Sequence, residues 1–496
     1  MIDTVAHVLE PALRERPDAP ALIGPSGTLT YRELDRAADL AAGVLWHLGV
    51  RPGDRVAACL PNDLPIVVAF YAAQRIGAIW VGIAEAYSGA EQDDLVAISG
   101  ARLVLAGERW KGSHAVVLAS RQWMNPDDRE LRAPAVDIDP FAPAGIAFTS
   151  GTTGLPKGIV HSQHNLVLPG AVLVATRGWD SGLRKADSLP MTILNMLVLN
   201  PLAAAQAQGC AILIDRRDIG TIADRVREHA ATVWNGAPAQ IYDLARRPEL
   251  DLSSLRELWS GGSDTPDELR AAVREVHGLP VHATYGLTEA PTVVAIDPVD
   301  GRSVPRSTGL TLPHLDVAAY DDAGRRLPNG EQGEIGIRAA TTGEWAGRWR
   351  PPLGLWRDDS VVPHPSELVM TGDIGVVDED GWLTVLDRKK LVVVRGGANV
   401  YPAEVERAIR LHPSVEAVAV FGVPDERLGQ RVAAVLVARG ELDVNELLEL
   451  CNQRLAKYKI PEVWGRVDSL RTNSMGKLNR SGLEDVLRTA TPLVPR

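Results

Sequence analysis

Along the first third of the chain, apolar positions switch between helical and strand spacing. Leu34, Ala38, Ala41, Leu45 and Leu48 recur on one helix face, behind a Thr30–Glu33 capping box and ahead of Gly49, which stops the helix. Pro52-Gly53 turns the chain into an apolar run over 56–60 that reads as a buried strand, and Ile79-Trp80-Val81 reads as another. The alternation returns with a strand over 211–214, a helix over 222–229 and a strand over 231–234. Thr265-Pro266-Asp267-Glu268 offers a cap, a first-turn proline and an acid at the third position of a further helix. Strands alternating with helices predict βαβ units and mostly parallel, doubly wound sheets covered on both faces.

Near residue 310 the pattern changes. Short alternating runs over 316–320 and 334–338, and Val376-Val377, Asp380-Gly381 and 383–386 as a tight hairpin, predict a small antiparallel subdomain. Beyond residue 390 the chain carries its own βαβ-like signals: strands over 415–422 and 432–438 and a helix over 445–456. The expected organisation is an α/β N-terminal domain over 1–387, a hinge at 388–390 and a small α+β C-terminal domain over 391–496.

Composition narrows the class. A chain of 496 residues, 45% hydrophobic and 23% charged, is that of a soluble globular protein with about three domains' worth of core. Acidic residues exceed basic ones by 63 − 52 = 11, which argues against a general nucleic-acid binder. Cys59, Cys210 and Cys451 lie far apart, with neither a disulfide framework nor metal-ligand spacing, as expected in a reducing cytoplasm. No apolar leader or membrane-spanning run is evident.

The densest chemistry lies in Thr149-Ser150-Gly151-Thr152-Thr153-Gly154-Leu155-Pro156-Lys157-Gly158, after an apolar strand signal over 145–148. Glycines let backbone N–H groups line a concavity, and hydroxyls with an ammonium add donors, so the segment suits a polyphosphate. It is not a Walker loop, because Pro156 and Gly158 stand where that motif needs Gly and Ser or Thr. The same composition also describes an ordinary polar loop. Tyr285-Gly286-Leu287-Thr288-Glu289 places an aromatic face, a glycine and a carboxylate suited to Mg²⁺ near a strand end. Asp373 in Thr371-Gly372-Asp373, Arg388 in Asp387-Arg388-Lys389-Lys390, and the loop Arg471-Thr472-Asn473-Ser474-Met475-Gly476-Lys477 are each unremarkable singly. His161 and His164 stand three apart without a third metal ligand nearby, so a metal site is not expected there.

In this order, the motifs resemble those of the AMP-forming adenylate-forming enzymes: acyl- and aryl-CoA synthetases, stand-alone adenylation domains and firefly luciferase. The similarity runs from about Thr30 to Arg480 and also includes Ser260-Gly261-Gly262, Ser307-Thr308-Gly309, residues 333–338, Arg395-Gly396-Gly397 and Tyr401-Pro402-Ala403-Glu404. The resemblance implies that ATP, Mg²⁺ and a carboxylic acid react to an acyl-adenylate and pyrophosphate, and that a thiol, coenzyme A or a carrier protein's phosphopantetheine, then displaces AMP. By match, Thr149, Ser150, Gly151, Thr152, Thr153, Gly154 and Lys157 would hold the β- and γ-phosphates. Tyr285 and Gly286 would lie along adenine, with Gly261 and Gly262 lining that pocket. Thr288 would touch the α-phosphate, Glu289 would hold Mg²⁺, and Asp373, assisted by Arg388, would bind the ribose. Lys477 would bridge carboxylate and α-phosphate. It would then be withdrawn as a mobile C-terminal domain swings about Lys390 and brings Gly396 and Gly397 to a thiol channel. Such chemistry needs positioning and neutralised oxyanions more than a general base, which agrees with the residue types.

One stretch departs from the family. In Leu189-Pro190-Met191-Thr192-Ile193-Leu194-Asn195-Met196, Ile193 stands where relatives commonly carry histidine, and the aspartate that pairs an α-ammonium is missing. Leaving that ammonium unpaired would cost several kcal/mol, so an α-amino acid is not the expected substrate. Ile193, Asn195, Trp234, Asn235, Gly236, Thr284 and Leu287 are the expected acyl-pocket residues, all uncharged. They suit a neutral aromatic or alicyclic acid, or a short to medium fatty acid. The leading expectation is an acid–CoA ligase. The alternatives are a stand-alone adenylating enzyme serving a carrier protein or another nucleophile, and a nucleotide-binding scaffold without catalysis. No nucleic-acid or membrane partner is expected.

Overall fold

The computed structural model describes residues 2–114, 117–124, 131–149, 156–215, 218–262, 265–472, 478–480 and 482–493. They form two compact units, Met1–Asp316 with Ile337–Val369, and Val317–Gly336 with Met370–Arg496. Ser150, Gly151, Thr152, Thr153, Gly154 and Lys477 lie outside the described residues.

The first unit is built on two sheets. In one, Pro143–Thr149, Ile79–Gly82, Arg55–Cys59, Leu103–Ala106 and Val117–Ala119 run parallel, and antiparallel Lys157–Ser162, Gly354–Arg357 and Ser360–Pro363 extend its edge. In the other, Val281–Leu287, Glu257–Gly261, Val233–Gly236, Arg184–Asp187, Cys210–Leu213 and Pro20–Gly24 run parallel. Cys210–Leu213 is apolar throughout, and Arg55–Cys59 is apolar from Val56 onward, because helices cover both faces, as the βαβ pattern requires. The Tyr31–His47 helix begins with both halves of the expected capping box. The expected cap at Thr265 is absent: its hydroxyl donates to Ser260 Oγ at 2.8 Å, and the helix starts at Asp267 after extended Pro266. The hydroxyl is turned toward the preceding strand and accepts from none of the helix's first N–H groups.

In the second unit, strands Leu315–Tyr320, Gly333–Ala339, Val369–Val377 and Leu383–Arg388 order as one sheet, the last two antiparallel. Val415–Asp425 and Gly429–Ala438 form a long antiparallel hairpin, and only the second continues through the Val444–Arg454 helix to a parallel neighbour, Val463–Arg466. The βαβ signal there was therefore half hairpin. The compact units do not part at residue 387, because 317–336 and 370–387 group with the C-terminal residues. Asp387 explains part of this: its Oδ2 accepts from Ala403 N–H at 2.7 Å, in the first turn of the Pro402–Arg410 helix.

Candidate active site

Thr149 ends one strand of the first unit and faces Lys157, which opens the next, so this pair closes the base of the glycine- and hydroxyl-rich loop. Lys157 is exposed. Gly158 is required by packing, since a Cβ there would meet Ile146 at 2.8 Å and Phe148 and Trp356 at 3.1 Å. Four residues past Lys157, His161 is fully buried and donates from Nε2 to the carbonyl of Thr288 at 2.8 Å. His164 donates instead to Arg348 O at 2.7 Å, so the two rings serve different partners. Among the described residues no group of three or more side chains is placed to hold a metal ion.

In the second sheet of this unit, Gly261 lies opposite Thr284, and a Cβ on it would sit 2.2 Å from Thr284 Oγ1. Gly262 follows with φ +88°, a left-handed conformation that suits glycine. Thr284 and Tyr285 are half-buried and Gly286 is exposed. Thr288 and Glu289 form the two-residue link between Val281–Leu287 and Ala290–Ile296. The strand is bulged there, with Leu287 opposite both Ala290 and Pro291. Behind this hairpin, Arg270 donates to Asp297 Oδ2 and to Ser307 O, both at 2.7 Å, and Ala283 N–H donates to the same Asp297 oxygen at 2.8 Å. Burial pushes the Asp297 carboxyl up, and Arg270 pulls it back.

The segment over 189–195 is held from two sides. Asn62 Nδ2 donates to Leu189 O, and Asn62 Oδ1 accepts from Met191 N–H, each at 2.8 Å. Gly82 lets Thr192 approach, since a Cβ would lie 1.7 Å from the Thr192 carbonyl oxygen. Ile193 and Asn195 are half-buried. Asn195, expected in the acyl pocket, donates from Nδ2 to Leu287 O at 3.2 Å. Trp234, expected in the acyl pocket, is fully buried in the core with Ile212, Ile241 and Leu258. Side chains alternate along a strand, so Trp234 faces away from Asn235. Asn235 donates to Asp187 Oδ2 at 3.1 Å, and Gly236 packs against the Trp234 ring, 2.9 Å from where its Cβ would be. Asp187 is itself fully buried, 4.0 Å from Lys185 Nζ, and also accepts from Leu189 N–H.

In the second unit, Asp373 and Arg388 face each other on paired strands, with Arg388 Nε 2.8 Å from Asp373 Oδ1. Asp373 is buried while the Arg388 side chain is half-exposed. Lys390 lies in the single helical turn Lys389–Leu391. Gly396 and Gly397 link Val393–Arg395 to Ala398–Val400, with φ +58° and +85°. Positive φ at both central residues is the demand of a tight two-residue hairpin, a local reason for glycine independent of any ligand.

Sequence reasoning missed Asn62, Asp187, Arg270 and Asp297, each of which has at least one partner 14 or more residues away. Asp187 closes a short strand, Arg184-Lys185-Ala186-Asp187, whose charged residues give no sequence sign that its last three positions are buried.

Comparison with known proteins fits this architecture. Residues 9–344 match the family model described as AMP-binding enzyme, and residues 404–477 match the AMP-binding enzyme C-terminal domain. A feruloyl-CoA synthase from Amycolatopsis is 32% identical over 485 residues, covering 94% of this chain and 95% of the relative. The long-chain-fatty-acid–CoA ligase FadD13 from Mycobacterium tuberculosis is 30% identical, covering 97% and 98%. The o-succinylbenzoate CoA synthetase MenE from Bacillus subtilis, solved with the acyl-adenylate OSB-AMP, superposes with TM-score 0.87 at 26% identity, covering 97% and 98%. Its complex with ATP and magnesium ion gives 0.84 at 25%, covering 97% and 99%. The chain therefore belongs to the AMP-binding enzyme family, the AMP-forming adenylate-forming enzymes. It is a ligase of the acyl-CoA synthetase type.

Proposed function

We propose that this protein uses ATP to activate a neutral aromatic or alicyclic acid, or a short to medium fatty acid, and transfers the acyl group to coenzyme A. The carrying observation is the pairing of an uncharged 189–195 segment with the Thr288–Glu289 hairpin through the Asn195–Leu287 hydrogen bond. Asp187, the carboxylate nearest that segment in sequence, is buried among Lys185, Asn235 and the Leu189 N–H, which leaves it unsuited to pair a substrate ammonium. The names of the feruloyl and o-succinylbenzoate enzymes favour aromatic acids.

In the first half-reaction, a carboxylate oxygen attacks the α-phosphorus, the bond to the bridging oxygen breaks, and pyrophosphate leaves. Thr149, Ser150, Gly151, Thr152, Thr153, Gly154 and Lys157 cradle the β- and γ-phosphates. Tyr285, Gly286, Gly261 and Gly262 flank adenine, Asp373 and Arg388 hold the ribose, and Thr288 touches the α-phosphate. Glu289 is half-buried at a loop tip and pairs with no other described residue, which fits Mg²⁺, a cation that takes few protein carboxylates beside phosphate oxygens. When bound, Mg²⁺ neutralises charge on the phosphates. Lys477 offsets charge at the α-phosphate. In the second half-reaction, the thiol sulfur attacks the acyl carbon, the carbon–oxygen bond to AMP breaks, and the thiol proton is lost. Residues 391–496 turn about 388–390 between the two, exchanging Lys477 for the Gly396–Gly397 turn. Acid-dependent pyrophosphate exchange over a carboxylic-acid panel, followed by thioester assay with free CoA and with a carrier protein, tests the proposal. Exchange with α-amino acids alone, or acyl transfer to a carrier but not to CoA, overturns it.

A further inference from the structure

The hairpin carrying Thr288 and Glu289 is not shaped by its own sequence. Two-residue links favour residues that tolerate positive φ, Asn-Gly above all, and neither Thr nor Glu is such a residue. Neither has positive φ here. The bulge at Leu287 re-aims the side chains that follow it, and a bulge needs support to hold one geometry. Support comes from two side chains distant in sequence. Asn195 Nδ2 donates to the carbonyl of Leu287 at 3.2 Å, and His161 Nε2 donates to the next carbonyl, Thr288, at 2.8 Å.

His161 is the better built of the two. A carbonyl only accepts, so Nε2 carries the proton, and Nδ1 is buried without a partner among the described residues. Burial lowers the ring's pKa to about 4 and keeps it neutral. A fully buried ring of this kind has no route to exchange protons with a substrate, and His164 is engaged elsewhere, so neither acid–base nor metal chemistry accounts for it. Packing alone would be met by an apolar side chain, without an orphaned nitrogen. What the imidazole uniquely supplies is one fixed donor, rooted in the strand that leads out of the phosphate loop and aimed at the peptide between Thr288 and Glu289.

We propose that His161, with Asn195 beside it, is a positioning residue for adenylation, locking the Thr288–Glu289 peptide to the strand that follows the phosphate loop. This role presupposes the assignment of Thr288 and Glu289 to the α-phosphate and Mg²⁺ proposed above. A misplacement of about 1 Å in such a constellation lowers rate by roughly a hundredfold.

The test compares His161→Leu, His161→Gln and His161→Asn. Gln can carry an N–H to about the place of imidazole Nε2, whereas Asn falls short. Acid-dependent pyrophosphate release is measured at saturating acid while Mg²⁺ and ATP are titrated. Thioester formation from a synthetic acyl-adenylate is measured separately. The expected result for Leu is an adenylation kcat lower by about ten- to a hundredfold, a raised Mg²⁺ requirement and unchanged thioester formation, with Gln recovering most of the loss. Should the Leu variant not fold, Gln against Asn decides, with Gln expected to exceed Asn. Equal activity of Gln with Leu, or with Asn where Leu does not fold, overturns the positioning role, and so does an equal fall in both half-reactions. Absence of acid-dependent pyrophosphate release by the unsubstituted protein would remove the Thr288–Glu289 assignment itself.

Discussion

At the residue scale, neighbours decide what each polar group is free to do. Asn195 and Asn235 both carry amides, yet each is held inside the protein, on Leu287 O and Asp187. Glu289 is the converse, a half-buried carboxylate that pairs with no other described residue. Replacing it by Gln keeps its shape and removes its charge. Adenylation should then require at least about tenfold more Mg²⁺, while the melting temperature stays within a degree or two, because a surface substitution of this kind changes stability by roughly 0.5 kcal/mol or less. A Mg²⁺ titration of initial rate beside a thermal melt checks this; a lowered melt with unchanged Mg²⁺ dependence would make Glu289 structural.

At the element scale, helices and hairpins are joined by single polar side chains. Asp387 ends the four-stranded sheet and accepts from Arg388 N–H at 2.7 Å and from Ala403 N–H, so one carboxylate spans the helical turn at Lys390 and caps the Pro402–Arg410 helix. Burial raises its pKa, and the two N–H groups pull it back. Asp387→Ala leaves the Ala403 N–H without its acceptor, at a cost of about 1 kcal/mol. Amide exchange at Ala403 should accelerate by roughly fivefold while exchange in the Val444–Arg454 helix stays unchanged. Uniform acceleration across both helices would show that the cap is not local.

At the scale of the whole molecule, the reaction divides by half-reaction. Lys477→Ala should nearly abolish adenylation, by about 3–4 kcal/mol if it acts as an oxyanion donor does. Thioester formation from a ready-made acyl-adenylate should survive, and equal loss of both would sink the alternation between two conformations. Stability should also depend on pH through the first unit. His161 and His282 are held down to about 4 and His314 to about 3, burial being the largest cause in each. A folded pKa below the ordinary 6.5 means that the unfolded chain takes up protons first, so stability is full above pH 6.5 and is lost as pH falls toward 4. A single such histidine contributes on the order of 3 kcal/mol. Neither ring nitrogen of His314 has a partner among the described residues, so His314→Leu should flatten the slope of melting temperature against pH between 6.5 and 4 without lowering the melt near neutrality. An unaltered slope would place the acid sensitivity elsewhere.

Helices, parallel strands and the order of the nucleotide motifs were legible in the chain itself, because periodicity, capping boxes and glycine-rich loops are local. The Thr30–Glu33 box needs only residues three apart, and Gly396-Gly397 only its own two φ angles. Tertiary structure alone decided the rest. It took Thr265 from its helix to Ser260, buried Trp234 in the core, turned Asn195 inward and set His161 against Thr288. Each of these depends on a partner from another element, and a hydrogen bond between residues 127 apart leaves no trace in either one's local sequence. A buried polar group takes whichever partner the fold brings within about 3 Å, and that choice is made only when the elements pack.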